Sequence, residues 1–118
     1  MTPAAAPRRG DVALVLFPFT DLSGAKLRPA IVLASEAPHD VIVAFVTSRE
    51  VLAGDSATAV LLDPVDEEFR LTGLDRRSTI RLARIATLSP ALVRRKLGEL
   101  GPATTERVEA GLRAVFGI

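Results

Sequence analysis

The sequence predicts a small, mainly β protein of the α+β type, in which about five short strands form a bent sheet or partial barrel covered by a C-terminal helix. Three observations carry that prediction. The apolar runs, such as Leu27-Arg28-Pro29-Ala30-Ile31-Val32-Leu33 and Val41-Ile42-Val43-Ala44-Phe45-Val46-Thr47-Ser48, have strand length and β-branched content. Segments rich in Gly, Pro, Asp and Ser separate them. A helical spacing of apolar residues appears only after Ser89.

Taken in order, the strands fall near Val12–Phe17, Pro29–Ser35, Val41–Thr47, Ala57–Leu62 and Thr79–Thr87. Phe19–Lys26 joins the first two and holds Asp21, Ser23 and Gly24, the composition of an exposed, mobile loop. Pro38-His39-Asp40 reads as a hairpin turn, so the second and third strands run antiparallel. Ser89-Pro90 has the form of an N-cap followed by proline at the first helical position. The stripe Leu92, Val93, Leu97 and Leu100 then predicts a short helix ending around Gly98–Gly101. Gly101-Pro102 restarts the pattern, and Val108, Leu112, Val115 and Phe116 form one face of a last helix.

Length and composition bound the function. At 118 residues the chain is expected to hold one domain, residues 10–118, after a loose tail over residues 1–9. The tail has Pro3, Pro7 and an alanine run but no secretory apolar core, and no apolar run reaches membrane-spanning length. With no cysteine there is neither a disulfide nor a thiolate metal site, which is compatible with the cytoplasm. A single histidine, His39, argues against a transition-metal centre, and no cofactor is expected. The net charge of +1 hides a strong asymmetry. Arg76, Arg77, Arg81, Arg84, Arg94, Arg95 and Lys96 follow one another with no intervening acid, just after the acidic cluster Asp63, Asp66, Glu67 and Glu68. Such a run permits a basic face for a polyanion. A solvated helix surface is the plainer account of Arg94, Arg95 and Lys96.

Arg28 opens one strand and Thr47 and Ser48 close the next. In an antiparallel pair those ends lie side by side, so a guanidinium and two hydroxyls converge at one sheet edge, a donor set suited to phosphate. Structural alternatives stand beside each residue. Arg28 could pair with Asp11 or Asp21, and Thr47 and Ser48 could simply cap a turn. Phe17 reads as core, while Phe19 could either pack the loop base or stack on an unpaired base. His39 reads as a solvent-facing turn residue at the far end of the hairpin from Arg28.

These residues also carry a family resemblance. Gly10-Asp11-Val12, Phe17-Pro18-Phe19-Thr20-Asp21-Leu22-Ser23-Gly24, Leu27-Arg28-Pro29-Ala30-Ile31-Val32-Leu33 and Val46-Thr47-Ser48 come in that order. Ser78-Thr79-Ile80-Arg81-Leu82-Ala83, Ile85-Ala86-Thr87-Leu88 and Lys96-Leu97-Gly98-Glu99-Leu100 follow. From Gly10 onward the chain resembles the MazF/PemK family of toxin ribonucleases. The resemblance implies an SH3-like β-barrel that forms homodimers, and the toxin half of a type II toxin–antitoxin system. It implies a metal-independent endoribonuclease cutting single-stranded RNA by attack of the 2′-hydroxyl, held in check by a cognate antitoxin protein. Carried over by position, Arg28 and Thr47 are the catalytic residues, Arg28 chiefly by stabilising charge, because its high pKa makes it a poor proton shuttle. Ser48, Arg81, Phe19, Lys26 and Arg84 are the expected RNA contacts, and no metal is expected. One departure stands out: some branches carry an acid, proposed as general base, where this chain has Ala83. The rival reading is a non-catalytic SH3-like module that binds nucleic acid or protein.

Overall fold

The structure is a computed structural model and describes residues 6–17, 26–36, 38–49 and 57–118. Six strands and one long helix follow one another: β1 (Asp11–Phe17), β2 (Lys26–Glu36), β3 (Asp40–Thr47), β4 (Ala59–Leu62), β5 (Ser78–Leu88), β6 (Val93–Glu99) and α1 (Pro102–Phe116). A 3₁₀ helix, Glu67–Thr72, crosses between β4 and β5. All strand pairs are antiparallel, in the order β4-β5-β3-β2-β1-β6. The sheet is therefore mainly β as expected but open, with β4 and β6 as its edges rather than a closed barrel. The ladders are broken between Val32 and Ala34 in β2 and, opposite Ala44 and Phe45 of β3, between Arg81 and Ile85 in β5.

Why these residues pair is legible in burial. The central strands are buried on both faces, which is why β1 and β3 read as nearly continuous apolar runs rather than as alternating ones. On one face Val12, Ile31, Ala44, Val46, Val60, Leu62, Ile80 and Leu82 pack with Val108 of α1. On the other, Ala13, Val15, Phe17, Ala30, Val32, Val41, Val43 and Leu88 form a second core. Phe17 is core, as read from the sequence, and its ring meets that of Phe45 edge-on at 4.5 Å between centroids.

The expected helix after Ser89 is the main correction. Ser89 does cap a turn, its Oγ accepting from the Ala91 N–H at 3.3 Å, with Pro90 in place. That turn lasts only Pro90–Leu92, and the chain then extends as β6 along the outer edge of β1. Helix-forming side chains lose here to the backbone of β1, whose edge N–H and C=O groups a helix could not satisfy. Arg94, Arg95 and Lys96 are exposed on this edge, and two register breaks interrupt it, both devices that discourage further strand addition. Gly98 is required by packing: a Cβ there would sit 2.2 Å from the Leu71 carbonyl oxygen of the 3₁₀ helix.

The helix α1 has no capping side chain of its own at Gly101. Glu68 supplies one from the 3₁₀ helix. Its Oε1 accepts from the Thr104 N–H and hydroxyl, both at 2.8 Å, and its Oε2 from the Ala103 N–H at 3.0 Å. The Thr104 and then the Ala103 N–H, followed by the Thr104 hydroxyl, hold the Glu68 carboxyl below its ordinary pKa. Thr104, Val108 and Gly111 are buried toward the sheet, while Phe116, expected on the apolar face, is 61% exposed beyond it.

Candidate functional site

Strand register assembles the site. In the β1–β2 pair Val15 faces Arg28; in the β2–β3 pair Ala30 faces Phe45; in the β3–β5 pair Phe45 faces Arg81 and Thr47 faces Thr79. Continuing the β2–β3 register by two residues sets Arg28 across from Thr47. One transverse row of the sheet thus runs Val15, Arg28, Thr47, Thr79, and the next row inward runs Ala13, Ala30, Phe45, Arg81. Alternation puts both rows on one face, because Val46 and Ile80 between them, and Ile31 next to Ala30, point into the core under α1. The predicted convergence of Arg28 and Thr47 is therefore a property of the sheet, not of a flexible loop.

Arg28 is exposed, and among the described residues no carboxylate pairs with it. The alternative partner Asp11 is engaged elsewhere: it accepts from the Arg8 N–H at 2.9 Å and pairs with Lys96 at 3.4 Å. It also lies four residues along β1 from Val15, about 13 Å from the row at strand spacing. Asp21 falls outside the described residues, as do Phe19 and most of the connection that precedes β2. Lys26 is exposed at the first position of β2, two residues from Arg28 on the same face.

Thr47 is half-buried, and its Oγ1 accepts the Arg49 N–H at 3.1 Å. A hydroxyl that accepts from its own turn keeps its proton for a second partner. The turn-capping role and a donor role are therefore compatible. Ser48 is exposed just past the strand end. Arg81 is half-buried, facing Phe45 on one side and Ala59 on the other. Between Arg81 and Ile85 the β3–β5 register breaks, so Leu82, Ala83 and Arg84 have no partner on β3. Leu82 turns into the core, while Ala83 and Arg84 stand exposed in this bulge.

The basic run does not form one continuous strip. In sheet order β5 and β6 are separated by β3, β2 and β1, so Arg81 and Arg84 belong to a different part of the sheet from Arg94–Lys96. Arg76 and Arg77 pair with Asp75 and Asp63, and Lys96 with Asp11 and Glu99. His39 is exposed in the turn between β2 and β3, at the opposite end of the hairpin from Arg28. Thr79 is a member of the row that no local sequence pattern marks as a site residue. The nearest signal is the pair Thr79 and Arg81, two polar side chains at strand spacing inside an apolar segment.

A search of curated protein sequences returns no match. An endoribonuclease solved in complex with its cognate antitoxin, from a mycobacterial species, is similar at 25% identity with a TM-score of 0.67, over 96% of this chain and 97% of that one. The MazE–MazF structure from Deinococcus radiodurans (Form III) gives a TM-score of 0.70 at 21% identity, over 97% and 99%. The Mycobacterium tuberculosis toxin MazF-mt6 gives 0.66 at 20% identity, over 92% and 97%; at these lower identities the likeness is one of fold. The model of one sequence family, described as the PemK-like, MazF-like toxin of type II toxin–antitoxin systems, matches residues 8–116, and the chain belongs to that family.

Proposed function

We propose that this protein is the toxin of a toxin–antitoxin pair and acts as a sequence-specific endoribonuclease on single-stranded RNA in the cytoplasm. The observation that carries the reading is the row in which an exposed Arg28, with no carboxylate partner among the described residues, stands across from Thr47 in the sheet. The donors gathered there are a guanidinium and hydroxyls, suited to gripping a phosphodiester directly. A metal-independent cleavage needs such a set, since the nucleophile is the substrate's own 2′-hydroxyl.

The step follows from those groups. The 2′-oxygen attacks phosphorus, the bond to the 5′-oxygen breaks, and the products are a 2′,3′-cyclic phosphate and a 5′-hydroxyl. One proton leaves the 2′-hydroxyl and one is gained by the 5′-oxygen. Negative charge on the non-bridging oxygens peaks in between, and the planar fork of Arg28 can contact two of them. Thr47 donates its hydroxyl proton to the same phosphate. Arg81, Lys26 and Arg84 extend positive charge along the path of the RNA, and Ser48 adds a hydroxyl beside it. An alanine at position 83 leaves the base role to a group other than an acid on β5. The cognate antitoxin would cover this face of the sheet, and a second copy of the chain would extend it.

The test is incubation of purified protein with a long single-stranded RNA in excess EDTA, beside Arg28→Ala, with fragment ends mapped. Discrete cuts bearing 5′-hydroxyl ends, absent in the variant, support the reading. Intact RNA, or equal cutting by the variant, sinks it.

A further inference from the structure

We propose that Thr79 contacts the same phosphate as Thr47, making the site a guanidinium with two hydroxyls from β3 and β5 rather than one. The inference rests on the reading above. Thr47 and Thr79 are directly opposed in the β3–β5 ladder, and residues so placed hold their Cβ atoms roughly 4.5–5.5 Å apart. Two hydroxyls at that separation can each reach a different oxygen of one phosphate.

The environment of Thr79 fits a donor. It is 8% exposed, so its rotamer is confined by its neighbours, and ordering it on binding costs little entropy. Ile80 next to it points into the core under α1, which sets Thr79 on the site face. Of the neighbouring hydroxyls, Ser78 donates to the Arg76 carbonyl at 2.9 Å, while Thr47 accepts from Arg49 and keeps its own proton to donate. Arg81, two residues on, places a cation on the same face and strand. A threonine hydroxyl between Leu61 on β4 and Thr47 on β3 contributes no packing that valine would not match. Its polarity is therefore explained by a ligand better than by the fold.

The experiment compares Thr79→Val, Thr79→Ser and Arg28→Ala, each with its melting midpoint, in single-turnover cleavage of a long RNA in EDTA. Thr79→Val should melt like the parent yet cleave roughly ten- to hundredfold more slowly, the size of a hydrogen bond to a charged group. Thr79→Ser should stay within about threefold of the parent, because it keeps the hydroxyl. Combining Thr79→Val with Thr47→Val should cost less than the product of the two single effects, as expected for groups on one phosphate. Thr79→Val cleaving at the parent rate while Arg28→Ala is inactive overturns the role of Thr79 and leaves the site standing. If Arg28→Ala also cleaves, the site reading falls and takes this inference with it. Should Thr79→Val not fold, Thr79→Ala decides: a folded, fully active Thr79→Ala overturns the inference.

Discussion

The two faces of the sheet are built to different rules. The face under α1 is apolar at its centre: Ile31, Ala44, Ile80 and Leu82 are fully buried, and the helix that seals it is anchored by Glu68 at its first turn. The opposite face changes character along the strands. It is apolar at Val32, Val41 and Val43, then becomes polar within a few residues at Arg28, Thr47 and Thr79. A sheet supported from one side can thus present charge and hydroxyls on the other without losing its core. Changes on the two faces should separate stability from activity.

The largest effect should come from Arg28→Ala, with RNA cleavage falling at least about 10³-fold as a charge-stabilising guanidinium is removed. Because Arg28 is exposed, its unfolding free energy should move by no more than about 0.5 kcal/mol, measured by denaturant titration. Leu82→Ala on the helix face should do the reverse. It is expected to cost about 2–5 kcal/mol of stability, while protein kept folded at low temperature still cleaves. A Leu82→Ala protein as stable as the parent would break the contrast between the faces. Thr47→Val comes next, with cleavage slowed by about 10²-fold and the melting midpoint nearly unchanged.

The smallest effect sharpens the helix side. Hydrogen bonds from the Thr104 and Ala103 N–H groups depress the Glu68 pKa in the folded state. Folding therefore gains from the ionised carboxylate above the unfolded value, ordinarily 4.5, and loses that gain as pH falls through the lower folded value. Glu68→Gln should lower the melting midpoint at neutral pH and flatten its decline in acid. An acid limb identical in parent and variant would show that the cap is not linked to folding. Cleavage at neutral pH should be unaffected, since Glu68 lies at the start of α1 and not in the row of Arg28 and Thr47.

How much of this was legible in advance depended on whether a signal was local. The strands announced themselves because β1, β2 and β3 are buried on both faces, and only continuous β-branched or apolar runs survive there. Arg28 and Thr47 could be brought together on paper because a single hairpin joins their strands, so an antiparallel ladder fixes the pairing of its ends. Ser89-Pro90 does start a helical turn, but the short helix expected to reach Gly98–Gly101 stops at Leu92. The segment Val93–Glu99 has no strong preference of its own, and what made it a strand was the open edge of β1, some 80 residues earlier in sequence.

Thr79 and the split of the basic run escaped for the same reason. Arg81 and Lys96 are close in sequence, yet three strands lie between theirs in the sheet. Thr47 and Thr79 are distant in sequence and face each other. Composition, periodicity and turn residues determined the class of fold, most strands, the last helix and the hairpin that carries Arg28. Tertiary structure decided which strand covers β1, that Glu68 caps a helix lacking its own cap, and which polar side chains share a row. Those outcomes depend on backbone groups finding partners across long sequence separations, a contest that no local preference settles.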